Sequence, residues 1–136
     1  PLSICYVWKN DVFVPKENEH NCGTLLPDLT PKPAYRALSV MTRELAGCRI
    51  VRRLKTASDA DYLVLLANAK GQTKIAAWTT GKPHDFTLNF NAKDGTVSLV
   101  AGDGSVSQLD FNDTSLTIQL KPLPSYLTLG ELSVGE

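Results

Sequence analysis

The chain has little of what marks a specialised chemistry. Its 136 residues include three cysteines, two histidines and one methionine. Cys5, Cys22 and Cys48 are an odd, irregularly spaced set with no Cys-x-x-Cys pair and no paired-histidine partner, which argues against a zinc site. They read as small buried hydrophobes, and a Cys5–Cys22 bridge stays open because spacing cannot decide it. There is no surplus charge either: 14 basic residues balance 14 acidic ones. That balance favours neither nucleic acid nor an anionic membrane, and it suits a neutral partner such as a glycan. No apolar run approaches the ~20 residues that cross a bilayer, and the start lacks the basic-then-apolar build of a signal peptide. Beginning with Pro1 instead of Met, the chain reads as a piece of a longer polypeptide, so the missing signal says nothing about where the parent travels. Serine-hydrolase elbows, glycine-rich phosphate loops and paired-histidine metal motifs are all absent from the sequence.

What is present divides by period. Residues 2–8 read as a short apolar strand of the kind buried on both faces of a parallel sheet. Residues 9–29 read as a loop, with turn chemistry from Asn10, Asp11, Pro15, Asn18, Asn21, Gly23 and Pro27. A helix follows. Thr30 is placed to cap it, Pro31 or Pro33 suits its first turn, and Gly47 sits where a left-handed residue ends a helix. Ala34, Leu38, Met41 and Leu45 recur at helical spacing and define its apolar stripe, with Arg36, Arg43 and Glu44 off it.

From Cys48 the period changes from 3.6 to 2. Strands are expected at 48–54, 61–69, 73–79, 85–91, 95–101, 105–111, 115–121 and 125–129. Lys70-Gly71, Gly81-Lys82-Pro83, Asp94-Gly95 and Asp103-Gly104 supply the turns, and this rhythm predicts an antiparallel Greek-key β-sandwich preceded by one helix, a mainly β fold. A calcium role for the two Asp-Gly pairs is set aside, because a hard cation needs several converging oxygens.

Sugar binding on such a sandwich needs an exposed aromatic face with polar neighbours. Trp78 is the best candidate, with Lys74, Ala76 and Thr80 on its face by alternation. Ile75, Ala77 and Thr79 on the opposite face are small enough to leave room for a tryptophan core, so both readings of Trp78 stand. Tyr62, Phe86, Phe90, Phe111 and Tyr126 mostly alternate with polar residues and read as core.

The segment EHNCGTLLPDLTPKPAYRALSVMTRELAGCRIVRRL, residues 19–53, resembles the stretch where many (β/α)8-barrel glycoside hydrolases leave the last barrel strand and enter a β-sandwich. Gly23, Thr30, Pro31, Lys32, Pro33, Ala34, Tyr35, Ala37 and Leu38 fit that family's run of Gly … Thr-Pro-Lys-Pro-Ala-Tyr-x-Ala-Leu. The preceding PLSICYVWKND is similar to the eighth barrel strand, where Cys5, Tyr6, Val7 and Trp8 stand against a common Trp-Tyr-Asp-Trp and depart from it at Cys5 and Val7.

The resemblance implies that residues 1–47 are a remnant of the final barrel strand, loop and outer helix, and that 48–136 are the C-terminal sandwich. It implies a secreted or periplasmic parent, with a polysaccharide and the parent's catalytic barrel as partners. A homodimer through the barrel remnant is a further expectation. Glycosidases hold two carboxyl groups roughly 5–9.5 Å apart across the sugar. The resembled barrels carry theirs on strands that this chain lacks, and Glu17 and Glu19 read as solvated surface, so no catalytic residue, metal or cofactor is assigned. Trp8 and His20 join Trp78, Lys74 and Thr80 as carbohydrate-contact candidates: Trp8 resembles the aromatic that closes the eighth strand, and His20 lies on the loop leaving the catalytic face. The implied function is a non-catalytic sandwich that supports the barrel and contacts glycan. The alternative is a stand-alone module binding a β-glycan, and a complete small glycosidase ranks third.

Overall fold

The computed structural model describes residues 8–12, 16 and 22–135. The expected barrel-type strand, apart from Trp8, therefore lies outside the described residues, as do Cys5, Glu17, Glu19 and His20. One helix and eight strands form three layers: α1 (Pro33–Leu45), β1 (Cys48–Arg53), β2 (Asp61–Asn68), β3 (Thr73–Thr79), β4 (His84–Asn89), β5 (Gly95–Ala101), β6 (Val106–Phe111), β7 (Ser115–Leu120) and β8 (Ser125–Gly130). The strand bounds follow the alternation closely.

All strand pairings are antiparallel. The larger sheet runs β1-β2-β3-β8-β5-β6 and the smaller is β4-β7. The chain leaves the large sheet after β3 and again after β6, and β8 returns to lie between β3 and β5. With β7 lying beside β6 across the sheet boundary, the spatial order β8-β5-β6-β7 is a Greek key.

The inner faces meet in a core of Leu63, Ile75, Val97 and Leu127 from the large sheet and Leu88, Leu116, Ile118 and Leu120 from the small one. Phe90 and Phe111 pack against each other there, with centroids 4.7 Å apart. A second core lies on the other side of the large sheet, where Val40 of α1 sits on Leu66, Ala76, Val100 and Tyr126. Of the five aromatics expected in the core, Phe90, Phe111 and Tyr126 are buried, Phe86 is half-buried, and Tyr62 stands half-buried on the outer face.

Four local expectations are corrected. Thr30 does not cap the helix: the extended residue before it is Lys32, with no side-chain cap, and Pro33 takes the first helical position. A residue that precedes proline is biased to extended backbone, so the Lys32-Pro33 step holds the helix start there. Thr30 instead donates its N–H to Asp28 Oδ1 at 2.9 Å. Second, Val40 is the buried residue of the helix, and of the expected stripe only Leu45 packs against the same cluster; Ala34 and Met41 are exposed, and Leu38 is half-buried. Val40 lies about 130° around the axis from the centre of that stripe.

Third, Asp94-Gly95 is not a hairpin turn. It belongs to the crossing from β4 to β5, and Gly95 is small because a Cβ there would come within 2.9 Å of the Phe111 ring. A tight turn the composition did not announce joins β6 to β7, where Asp113 and Thr114 both have positive φ, at 48° and 65°. Fourth, Cys22 is exposed and Cys48 half-buried, so neither is a buried hydrophobe.

Candidate functional site

The β2–β3 hairpin places Tyr62 directly opposite Trp78 on the outer face of the large sheet. Their rings stack with centroids 4.9 Å apart and planes 6° from parallel. On the other side of Tyr62 lies the Arg53 guanidinium, 4.0 Å from the ring centroid. Arg53 is held there because its Nη2 donates to the Asp59 and Asp61 carbonyls at 3.1 and 2.7 Å. The result is a three-layer stack of Arg53, Tyr62 and Trp78, of the type that adds about 1 kcal/mol per contact beyond area burial. Both faces of Tyr62 and one face of Trp78 are thereby occupied.

The predicted companions of Trp78 share its face but do different work. Lys74 is half-buried under α1, its Nζ 3.0 Å from Glu44 Oε2, and Glu44 also meets Arg43 Nε at 3.0 Å. Burial alone would raise the Glu44 pKa, but hydrogen bonds from Lys74 and Arg43 outweigh it and hold the carboxyl below its ordinary range. Lys74 thus fastens the helix to the sheet. Thr80 is exposed, and its N–H and Oγ1 both donate to the Ala60 carbonyl, at 2.8 and 3.3 Å. Trp8 is 56% exposed and meets Tyr35 of α1 edge-on at 5.7 Å; no described ring contact joins it to Trp78. Of the five candidates His20 lies outside the described residues, Trp78, Lys74 and Thr80 share the outer face of β3 and its end, and Trp8 stands apart from them on α1.

Sequence reasoning missed Tyr62 as the partner of Trp78, although a turn at Lys70-Gly71 sets that register. It also missed a compact nook at the start of the chain. Residues 9 and 25 pair in parallel, and the Trp8 carbonyl accepts from the N–H groups of Thr24 and Leu25 at 3.0 and 3.2 Å. Asn10 is buried, and its Oδ1 accepts from Gly23 N–H at 3.1 Å and from Lys32 Nζ at 2.8 Å. Gly23 is required there, because a Cβ would stand 2.3 Å from the Lys9 carbonyl carbon. Several residues of the Gly … Thr-Pro-Lys-Pro-Ala-Tyr run thus have structural roles here: Gly23 for close approach, Lys32 as the Asn10 partner, Pro33 as helix start and Tyr35 as the seat of Trp8.

Asp61 is buried at the start of β2, its Oδ2 3.1 Å from His84 Nε2 and its Oδ1 without a protein hydrogen-bond partner. His84 Nδ1 lies 3.0 Å from the Lys82 carbonyl. That carbonyl is the chief cause of a raised His84 pKa; partial burial opposes it, and the Asp61 carboxylate adds to it. With both ring nitrogens engaged, His84 fastens the small sheet to the large one and is not poised as a general base. Among the described residues no three His, Cys, Asp or Glu side chains gather as a metal site. No helix among them is long and apolar enough to cross a membrane.

No protein-family model matches the chain, and no curated protein matches it in sequence. Among solved structures the chain is similar to a family 39 glycoside hydrolase from the gut symbiont Bacteroides cellulosilyticus, with a TM-score of 0.77 and 26% identity over 89% of this chain. The chain spans 24% of the length of that enzyme. Residues 48–136 make up only about two-thirds of this chain, so the likeness takes in part of the first 47 residues as well.

Proposed function

We propose that the chain is the C-terminal β-sandwich region of a polysaccharide-degrading glycoside hydrolase, secreted or periplasmic, that does no hydrolysis itself and supports a catalytic barrel. One observation carries the reading: the apolar stripe of α1 is only partly covered by the sandwich, which takes Leu45 of it. Ala34 and Met41 stay exposed and Leu38 half-buried, and the exposed Trp8 meets Tyr35 of the same helix. The likeness to a glycoside hydrolase extends into this part of the chain, which supports a barrel as the body that covers those residues. The nook around Gly23 and Asn10 then fixes the angle at which the chain passes from the barrel to the helix. Residues 1–47 are the connecting and docking part in this reading, and 48–136 the sandwich.

Glycan contact is the second element of the proposal, and as a stand-alone activity it is the alternative reading. The observation favouring it is that Trp78 stands only half-buried on the outer face, stacked on Tyr62, although it also packs against the cluster under α1. Affinity electrophoresis against soluble β-glucans, xylans and mannans, with reducing-sugar release measured on the same panel, tests both elements. The expected result is no sugar release. Weak retardation by at least one glycan, lost in Trp78→Ala with the circular dichroism spectrum intact, supports contact through Trp78. Turnover by the purified chain would overturn the non-catalytic reading.

A further inference from the structure

The turn from β6 to β7 contains a strained residue that the fold does not explain. Asn112 at its start accepts the Ser115 N–H on its carbonyl at 3.0 Å, and the two residues between them, Asp113 and Thr114, both stand in the left-handed region. Two positive φ values in succession make the mirror-image hairpin turn, whose central positions favour Asn, Asp and Gly. Asp113 fits that preference. Thr114, at φ 65°, does not, because a branched Cβ makes left-handed backbone unfavourable and glycine would relieve it. Main-chain bonds hold the residue in place: its N–H donates to the Lys93 carbonyl at 2.9 Å, and its carbonyl accepts from the Phe90 N–H at 2.7 Å. Those bonds need no side chain. Thr114 is exposed and its hydroxyl makes no hydrogen bond among the described residues, so nothing in the fold offsets the strain of having threonine there.

A use for that hydroxyl lies two residues back. Asn112-Asp113-Thr114 is the Asn-x-Thr pattern of N-linked glycosylation, and no other asparagine of the 136 residues has Ser or Thr at the second following position. The transferring enzyme holds its acceptor through the hydroxyl at that position. Asp110, two residues before Asn112, supplies the acidic side chain that bacterial oligosaccharyltransferases read as well. Asn112 is exposed, and its side-chain amide makes no hydrogen bond among the described residues, so a sugar on Nδ2 would break no bond of the fold.

We propose that Asn112 is an acceptor for an N-linked oligosaccharide. The donor is an oligosaccharide carried on a lipid pyrophosphate. A bond forms between Asn112 Nδ2 and C1 of the first sugar, and the bond from C1 to the pyrophosphate oxygen breaks; the lipid pyrophosphate leaves with that electron pair, and Nδ2 gives up one proton. The position suits the other surfaces of the chain. The turn follows Phe111, which pairs with Gly95 at the start of β5, whereas the first residues of α1 lie beside Gly102 and Leu123, just past the opposite end of β5. A glycan on Asn112 therefore stands a strand's length away from the start of α1 and leaves the docking part of the proposed function free. From that function the proposal takes only export from the cytoplasm, not the glycoside hydrolase reading.

Expression of the 136-residue chain in a bacterial host whose periplasm carries an oligosaccharyltransferase and its lipid-linked oligosaccharide tests this, with the export signal supplied by the vector. The parent's own route then does not enter the result. Intact mass and peptide mapping should find one oligosaccharide, on Asn112. Thr114→Ser should keep it, and Asn112→Gln, Thr114→Ala and Asp110→Asn should each lose it. The strain has a separate readout: Thr114→Gly should also lose the oligosaccharide, yet raise the melting temperature of the unmodified chain by about 2–4 °C. A folded, exported parent chain without the oligosaccharide, or an oligosaccharide that survives Thr114→Ala, would overturn the proposal. So would a Thr114→Gly variant that melts no higher than the parent, since the threonine would then have a structural role. These failures leave the hydrolysis and gel-retardation assays, and the reading they test, untouched.

Discussion

Substituting Gly23 by alanine tests whether the start of the chain is a built joint. The new Cβ would lie 2.3 Å from the Lys9 carbonyl carbon and 2.5 Å from the Asn10 nitrogen, and both are backbone atoms with no rotamer to give way. Overpacking of that kind costs about 1–3 kcal/mol. Against it stand the bonds of the nook: three donors from Thr24 and Leu25 on the Trp8 carbonyl, Asn10 N–H on the Leu25 carbonyl, and the Gly23 and Lys32 donors on Asn10 Oδ1. At about 1 kcal/mol net each they roughly match the entropy of ordering the few residues 8–12, at about 1–2 kcal/mol per residue. The strain therefore decides the balance, and Gly23→Ala should release residues 8–12 from residues 23–25. None of these residues belongs to either core cluster, so the main thermal transition should remain near that of the parent chain. Amide exchange read by NMR checks both halves: the Leu25 amide should lose protection and the Trp8 indole should shift as it leaves Tyr35, while Leu63 and Leu127 stay protected. A variant with Leu25 protected and Trp8 unmoved would refute the argument.

Two further outcomes follow from the packing. Val40→Ala should cost about 2 kcal/mol in chemical denaturation by emptying the seat of α1 on Leu66, Ala76 and Tyr126; a loss below about 0.5 kcal/mol would mean that the helix is not held there. The raised pKa of His84 makes the imidazolium the stabilising form, so its contribution is fully present below about pH 6.5, its ordinary value, and fades as pH rises through the folded-state value. The stability difference between the parent chain and His84→Ala should therefore shrink from pH 5.5 to pH 8.5, and a difference that grows over that range would contradict the assignment.

The sandwich was legible because alternation from Cys48 onward is regular and its turns carry Gly, Pro or Asp, so the strands fell nearly at their observed bounds. The helix was legible as a helix but not in its orientation. Ala34, Leu38, Met41 and Leu45 are the more apolar stripe, yet Val40 and the Glu44–Lys74 ion pair fix which side meets the sheet, and only tertiary contact reveals that. Trp78 could be assigned to the outer face by period alone. Its partner Tyr62 follows from hairpin register, whereas Arg53 arrives through a bulge between Ile50 and Arg52 that shifts β1 by one residue and that no local pattern signals. Asn10 and Lys32 looked like loop and surface residues, because their hydrogen bonds span sequence separations of 13 and 22 residues.

In the proposed reading α1 is held to its own sandwich through Val40 and Leu45 and offers Leu38 and Met41 to a second body. Light scattering across a concentration series, on the parent chain and on Leu38→Asp combined with Met41→Asp, tests it most directly. In the absence of a barrel the parent chain should self-associate through the uncovered face, and the double variant should be monomeric with the same melting temperature, since Met41 is exposed and Leu38 only half-buried. A parent chain that stays monomeric throughout, or a double variant that associates as strongly, would contradict it.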